Sequence, residues 1–568
     1  MNILGIFGSI DWDAREPLDE NENHTYLHDA GATLFVDGKL SCSIQEERLT
    51  RYKFDGNFPY KSIEYCLSQA NIKNFDIDIV YLSSAGNSLF YEKEKDKTLY
   101  KFIENIFPNA IVKIISHHLC HAASSIFTSS FNEGTFFTLD GEGSDVKHPV
   151  TEDSLFAENN SMGYFNKSKK ILRFFPLIPN FNIFGKYHFT KSLHIFYKKI
   201  NSPLPKNQSA EVENVSGKVM GLGAYGNYKN SSKWKEYFID DSYHMPFVHF
   251  YYHDENDLIS AEDNASVLQK NFECALLDYL KILKERSYFD ENICFAGGCF
   301  LNVLTNSLIK KSNFFKDIHI PPFTNDSGLS FGAAAYAVFI HESKNEIEIP
   351  KNLSLLSKKY SNDEIEQEIK NFNLSYKKYD DFKELCNITA QKLEQNKIIG
   401  WFQNSSESGP RSLGSRSILM SPKDKKNKDI LNFRVKHREY WRPFAGSVLE
   451  EHLSEYVDDD FISPYMLYSY KVKDEKISEI PSLVHKDNTC RIQTIKKSFH
   501  PEFHSLLDSF YKVSKIPIIL NTSFNDNGEP IIESPKDAIS SFLRMDIDYL
   551  VIGNFILSKT VKKLFKYQ

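Results

Sequence analysis

The sequence predicts an α/β protein of two domains, the first a duplicated nucleotide-binding fold with a cleft between its halves. Three observations carry that expectation. At 568 residues the chain is too long for one compact core. Its first third alternates strand-like with helix-like segments, and a second block of the same character begins near residue 293, both blocks turning on glycines.

Ile3 to Phe7 reads as a strand, and residues 33–45 as a hairpin whose Asp37-Gly38 pair suits a type I′ turn. Residues 63–69 then read as a helix, and residues 77–83 and 111–115 as strands. In Ser116-His117-His118-Leu119-Cys120-His121 two histidines stand four apart. On a helix that step is about 400°, so both imidazoles leave one face about 40° apart and can chelate one ion. A pair of solvated or hydrogen-bonded histidines is the alternative. Residues 122–127 continue as a helix, and residues 134–139 form a strand running into Asp140-Gly-Glu-Gly-Ser-Asp145, a carboxylate at a strand end where metal or phosphate chemistry is common.

Residues 152–264, rich in Phe, Tyr, Asn and Lys and poor in periodicity, read as an insertion carrying acceptor or partner contacts. The second block follows: residues 293–298 as a strand ending in Gly297-Gly298, residues 301–309 as a helix, residues 318–320 as a strand, and residues 326–335 as a tightly packed helix start. The first domain is thus bounded at 1–345, a charged stretch at 346–378 reads as linker, and the second domain occupies 379–568, its first strand at residues 397–402. Three clusters mark it: Gly409-Pro-Arg411-Ser-Leu-Gly-Ser-Arg416-Ser, Lys436-His-Arg438-Glu-Tyr-Trp-Arg442-Pro-Phe, and Asn521-Thr-Ser523-Phe-Asn525 after an apolar strand. Arginine forks match planar carboxylates and phosphates, and pairing with surface acids is the alternative.

A net charge of -7 disfavours wholesale nucleic-acid binding. The eight cysteines show no CxxC spacing and read as free thiols. No apolar run reaches the ~18 residues of a membrane span, and Met1 to Gly8 reads as a strand rather than a signal peptide, so a cytoplasmic protein with no membrane partner is expected.

Taken together, the motifs resemble the NodU/CmcH family of O-carbamoyltransferases. To the three clusters above the match adds His28-Asp29-Ala30, Gln45-Glu46-Glu47-Arg48, the histidine pair with its flanks, Leu139 to Gly143, Lys218 to Gly226, Ala296 to Asn302 and Asn325-Asp326. The resemblance implies an actin-like ATPase (ASKHA) domain followed by an α+β YrdC-like domain. The second would make carbamoyl adenylate from ATP and carbamoyl phosphate; the first would pass the carbamoyl group to a hydroxyl of a sugar-containing or secondary-metabolite acceptor, a small molecule or a glycan. It implies a metal held by His117, His121, Asp140 and Asp326, and carbamoyl phosphate held by Arg411, Lys436, Arg442, Arg491, Asn521 and Ser523. The nucleotide would meet Gly141, Gly143, Lys218, Gly297, Gly298, Asn302 and Arg416. His28, Lys436 and Arg442 would be catalytic, His28 as the base on the acceptor hydroxyl.

Two imidazoles and two carboxylates suit Fe2+ first, then Mn2+ or Zn2+, with Mg2+ accompanying ATP. A homodimer is compatible with this reading. Threonylcarbamoylation of tRNA is the second enzyme reading, and a non-catalytic actin-like nucleotide switch the alternative from another class. Carbamoylation in hydrogenase maturation would call for paired CxxC zinc motifs that the sequence lacks.

Overall fold

The computed structural model describes residues 1–9, 28–83, 95–141, 143, 145–147, 155–176, 184–204, 208–231, 237–240, 247–250, 259–342 and 347–559. The chain divides into two compact units, one of Met1–Leu356 with Ser408–Pro410, the other of Ser357–Glu407 with Arg411–Gln568.

The first unit repeats one sheet topology. Its first sheet comprises β1 (Asn2–Phe7), β2 (Gly31–Val36), β3 (Lys39–Gln45), β4 (Ile79–Ser83) and β5 (Ile111–Ile115), in spatial order β3-β2-β1-β4-β5. Only β2 runs antiparallel to its neighbours. The second sheet comprises β6 (Glu133–Leu139), β7 (Asn160–Asn166), β8 (Ile171–Pro176), β9 (Asn292–Ala296) and β10 (Asp317–His319), in order β8-β7-β6-β9-β10 with the same directions. The β2–β3 turn is the anticipated one, Asp37 and Gly38 both having positive φ (50° and 76°).

Helices α1 (His117–Thr128), α2 (Ala261–Glu285) and α3 (Leu329–His341) cover these sheets. Helix α3 is apolar on nearly every face because it is buried on nearly every face, against β1 on one side and α1 on another. The contact with α1 is so close that a Cβ at Gly332 would lie 1.9 Å from the carbonyl oxygen of Cys120, so only glycine fits.

Two stretches differ from the sequence reading. Residues 160–176, placed in an insertion, are β7 and β8 of the second sheet. Strand β7 is buried on both faces and carries Asn160, Ser161 and Asn166, so it shows neither alternation nor an apolar run. The described part of the remainder includes the helices Phe184–Lys199 and Gln208–Gly223, which pack on α2, and the antiparallel strand pair Tyr237–Asp240 and Phe247–Phe250. The stretch 346–378, read as linker, contains the helix Asn362–Asn371 and the strand Tyr376–Lys378 of the second unit. Its charges cover the exposed face of a helix that buries Ile365 and Ile369.

The second unit is built on a nine-stranded mixed sheet with helices, again α/β. Its central strands are Ile399–Phe402, Arg416–Met420, Ile518–Ser523, Ala445–Leu449 and Thr489–Ile495, paired in that spatial order. Trp401, fully buried, sits between Phe382 and Phe503 at the starts of two packed helices and donates its indole N–H to Gly414 O at 3.0 Å. All eight cysteines are unpaired thiols. No described helix is long and apolar enough to cross a membrane.

Candidate functional site

In the first unit the site is built on α1. Ser116 caps the helix, accepting the Leu119 N–H at 3.3 Å while donating its own hydrogen to Glu158 Oε2 at 2.8 Å. The helix turns His117 and His121 onto one face, with their Nε2 atoms 3.1 Å apart. Asp140 directly follows β6, and Asp326 opens the turn that leads into α3. His121 Nε2 lies 2.8 Å from Asp140 Oδ2 and 3.3 Å from Asp326 Oδ1; His117 Nε2 lies 3.6 and 3.4 Å from the same atoms. One donor atom from each of the four residues falls within 4.8 Å of every other, and all four are buried.

This donor set fits a transition-metal ion. Metal–ligand bonds of about 2.1 Å imply ligands roughly 3–3.5 Å from one another, and two imidazoles with two carboxylates favour Fe2+, Mn2+ or Zn2+ over Ca2+. The same carboxylates favour a positive charge on the imidazoles. Burial opposes a charged His117, yet Asp326 and Asp140 outweigh it and raise its pKa to about 10. His121 is raised by the same carboxylates against burial, and Asp140 is held well below the usual carboxylate range by the two imidazoles.

The other residues expected near this site fall into two groups. Gly141 and Gly298 both direct N–H groups at Asp140 Oδ1, at 2.7 and 3.3 Å, and Gly297, with φ of 107°, hands its N–H to Thr324 O. His28 stands beside the cluster, with Nδ1 3.1 Å from Asp29 Oδ2 and Nε2 3.9 Å from Asp326 Oδ2; Asn325 holds Asp29 in turn at 2.8 Å. Asn302 and Lys218, anticipated at the nucleotide, have other occupations. Asn302 caps its helix and exchanges amide hydrogen bonds with Gln269 on α2, while the Lys218 ammonium sits 4.6 Å from the centre of the Phe196 ring. Sequence reasoning overlooked Glu158, Asp29 and His118. Asp29 and His118 lay inside motifs already singled out, and Glu158 follows a stretch with no pattern to mark it.

The second unit gathers guanidinium groups. Arg411 is pushed well below its ordinary pKa by burial and by Arg491 and Arg442, and Arg438 by burial and the same two arginines. Arg491 is lowered to about 10, chiefly by burial. The Nε atoms of Arg411 and Arg491 are buried with no hydrogen-bond partner in the protein. Buried guanidinium groups set among like charges are what an anion pocket presents. Arg438, within the Lys436 to Phe444 motif but given no role from sequence, joins it.

The loop carrying Arg411 is pinned by buried Glu407, whose carboxylate accepts the N–H groups of Leu413, Ser415 and Arg416 at 2.7, 2.8 and 3.1 Å. Asn521 accepts from Ser412 and donates to Ser447, tying that loop to its strand. Lys436 spends its ammonium on Ser523 O, Asn525 O and Asn525 Oδ1 at 2.7–2.9 Å, and Ser523 donates to the same amide oxygen. Lys436 therefore braces the turn at Ser523 to Asn525. Arg416, anticipated at the nucleotide, is fully buried, stacks on Phe402 and donates to the carbonyls of Gln403 and Glu533; it is a structural cation.

Two family descriptions match the chain, "Carbamoyltransferase N-terminus" over residues 23–106 and 86–335 and "Carbamoyltransferase C-terminus" over residues 390–559. An uncharacterized protein of Synechocystis sp. is 30% identical over 94% of this chain and 96% of its own length. Nodulation protein NolNO of Sinorhizobium fredii is 28% identical over 98% of this chain and 83% of its own. Among solved structures, full-length HypF in its phosphate- and nucleotide-bound form gives a TM-score of 0.34 at 12% identity, covering 61% of this chain and 47% of that one, and adds nothing to the topology above.

Proposed function

The chain belongs to the carbamoyltransferase family and is an enzyme of carbamoyl transfer, and we propose that it is an ATP-dependent O-carbamoyltransferase working through two sites. At the arginine pocket of a YrdC-like second unit, ATP, carbamoyl phosphate and water give carbamoyl adenylate, pyrophosphate and phosphate. At the histidine–aspartate site the acceptor hydroxyl oxygen bonds to the carbonyl carbon, the bond from that carbon to the AMP oxygen breaks, and AMP leaves with the electron pair. The acceptor is a hydroxyl of a sugar-containing or secondary-metabolite molecule.

The observation that carries this reading is the arginine cluster: burial and mutual repulsion lower the pKa values of Arg411, Arg438 and Arg491, Arg442 stands among them, and Glu439, 3.6 Å from Arg442, offsets only part of their charge, leaving an excess that a phosphate-bearing substrate would repay. Asn521, Ser523 and Lys436 would join the arginines in holding carbamoyl phosphate. In the first unit His28 takes the hydroxyl proton at Nε2, since Nδ1 is engaged with Asp29. A divalent metal on His117, His121, Asp140 and Asp326 would supply Lewis-acid stabilisation of charge developing on the carbonyl.

The test is AMP and pyrophosphate formation by the purified, metal-loaded chain given ATP and carbamoyl phosphate; absence of both sinks the proposal. Arg411→Ala should abolish carbamoyl adenylate formation, a loss of roughly 100-fold or more. His121→Ala should leave that half-reaction within about threefold of wild type and abolish transfer. Equal loss of adenylate formation in both variants contradicts two sites.

A further inference from the structure

The second unit holds a cavity of about 560 Å³ lined by none of the residues given a role at either site. Its walls are the first residues of the helices Asn362–Asn371, Phe382–Glu394 and Pro501–Ser514, the end of the strand Ile399–Phe402 with Gln403 and Asn404, and the Gly553-Asn554 turn between the strands Tyr549–Ile552 and Phe555–Ser558. Three hydrogen bonds tie wall to wall: Gln403 Nε2 donates to Gly553 O at 2.9 Å, Asn404 Nδ2 to Glu502 Oε2 at 2.8 Å, and the Asn554 N–H to Asn362 Oδ1 at 3.2 Å. Small-molecule sites enclose roughly 300–1,000 Å³, and ties of this kind set the shape before a ligand arrives.

The lining sets amide donors and acceptors against an apolar wall. Those three bonds leave Gln403 Oε1 and Asn404 Oδ1 as acceptors and Asn362 Nδ2 and Asn554 Nδ2 as donors, none of them bonded to another described residue. The rings of Tyr360, Phe382 and Phe402 supply the apolar part. The two charged lining residues, Lys359 and Glu502, offset each other, with Nζ and Oε1 3.7 Å apart. The cavity is therefore suited to a neutral, polar ligand with one apolar face.

We infer that this cavity is a carbohydrate-binding site of the second unit, taking a neutral sugar ring through its hydroxyls. Each sugar hydroxyl both donates and accepts, so two free acceptors beside two free donors can pair with several at once. The C–H face of the ring lies against the aromatic wall. A planar base calls for parallel walls, whereas Tyr360 and Phe402 are inclined by 51° with centroids 6.1 Å apart. An anion would meet the Glu502 carboxylate as well as the Lys359 ammonium. The site retains sugar and does not react with it, because that pair of charges is spent on itself. It stands apart from the two-site reading above, which uses none of these residues.

The test is saturation-transfer NMR on the full chain with the methyl glycosides of glucose, galactose, mannose and N-acetylglucosamine, and with adenosine as the planar comparison. At least one glycoside should bind with a dissociation constant of roughly 1 mM or tighter, the strength of a few hydrogen bonds over one apolar face. Asn554→Ala removes a side chain bonded to no other described residue; it should leave the urea midpoint of unfolding unchanged and weaken that glycoside roughly fivefold. Asn362→Asp keeps the acceptor for the Asn554 N–H, deletes the donor and should weaken it to a similar degree. Adenosine should bind the two variants as it binds wild type. No glycoside bound, glycoside affinity unchanged in both variants, or adenosine weakened by the same substitutions overturns the inference.

Discussion

His319, on the edge strand β10, is held neutral by burial: its pKa is lowered to about 3, with the Lys167 charge a smaller cause, and Nε2 pairs with Thr128 Oγ1 at 2.9 Å. His188 is lowered to about 4, also by burial. The unfolded chain protonates both near pH 6.5 while the folded chain does not, so their contribution to stability is full above pH 6.5 and is lost as pH falls toward 4. Each adds about 1.4 kcal/mol per pH unit to that decline. His319→Gln, which keeps a polar atom toward Thr128 but cannot titrate, should flatten the slope by about that amount between pH 6 and 5. Urea unfolding at the two pH values measures it, and an unchanged slope would show that His319 already protonates in the fold. At this scale the sequence was most legible where a role depends on local spacing. His117 and His121 are four apart on one helix; Asp140 and Asp326 could be added only through a family pattern, because nothing local ties them to that helix. Arg416 shows the opposite case, since an arginine in a glycine-rich motif reads as a ligand until its carbonyl partners are seen.

Among elements, the decisive contact is α1 against α3. Gly332 lets α3 approach to where a side chain would strike the Cys120 carbonyl, one residue before His121. Gly332→Ala must separate the helices or shift one along its axis, at a cost of about 3 kcal/mol in unfolding free energy. Because α1 carries two of the four donors, the same substitution should weaken zinc or iron binding in equilibrium dialysis by at least about tenfold. Stability lost with affinity intact would mean that α3 alone gives way. The elements that sequence reading placed correctly, β1, the β2–β3 hairpin and β9 with its glycine turn, have apolar runs bounded by turn residues. Strand β7 was missed because a strand covered on both faces and holding asparagines carries no alternation. The helix Asn362–Asn371 was missed because its acidic, lysine-flanked exposed face outweighed two buried isoleucines.

Across the whole molecule, the duplication of the first unit was legible because glycine turns follow strand-like runs in both halves, but the repeated strand order was not, since two strands of the second sheet lay in the stretch read as an insertion. The extent of the second unit was not, since its edge strand Tyr376–Lys378 is short and charged and reads as surface until it is paired with Phe555–Ser558. On the proposed two-site reading the sites answer to different ligands, and hydrogen exchange should separate them. Chelating the metal should speed amide exchange in residues 117–128 and 326–329 while leaving the 411–416 loop, held by Glu407, unchanged. Inorganic phosphate should protect the 411–416 loop and not α1. Exchange rising in both regions on chelation would join what the two-site reading keeps apart.

The four metal-site donors also set an order of events during synthesis. His117, His121 and Asp140 leave the ribosome early, whereas Asp326 follows strands β7 to β10 and all of α2. At about 5–20 residues per second the nascent chain waits on the order of ten to forty seconds with three donors and no fourth. The cluster can therefore close only after every strand of the second sheet has been made, with α3 still to follow, so that an ion bound by all four donors would report a finished second sheet.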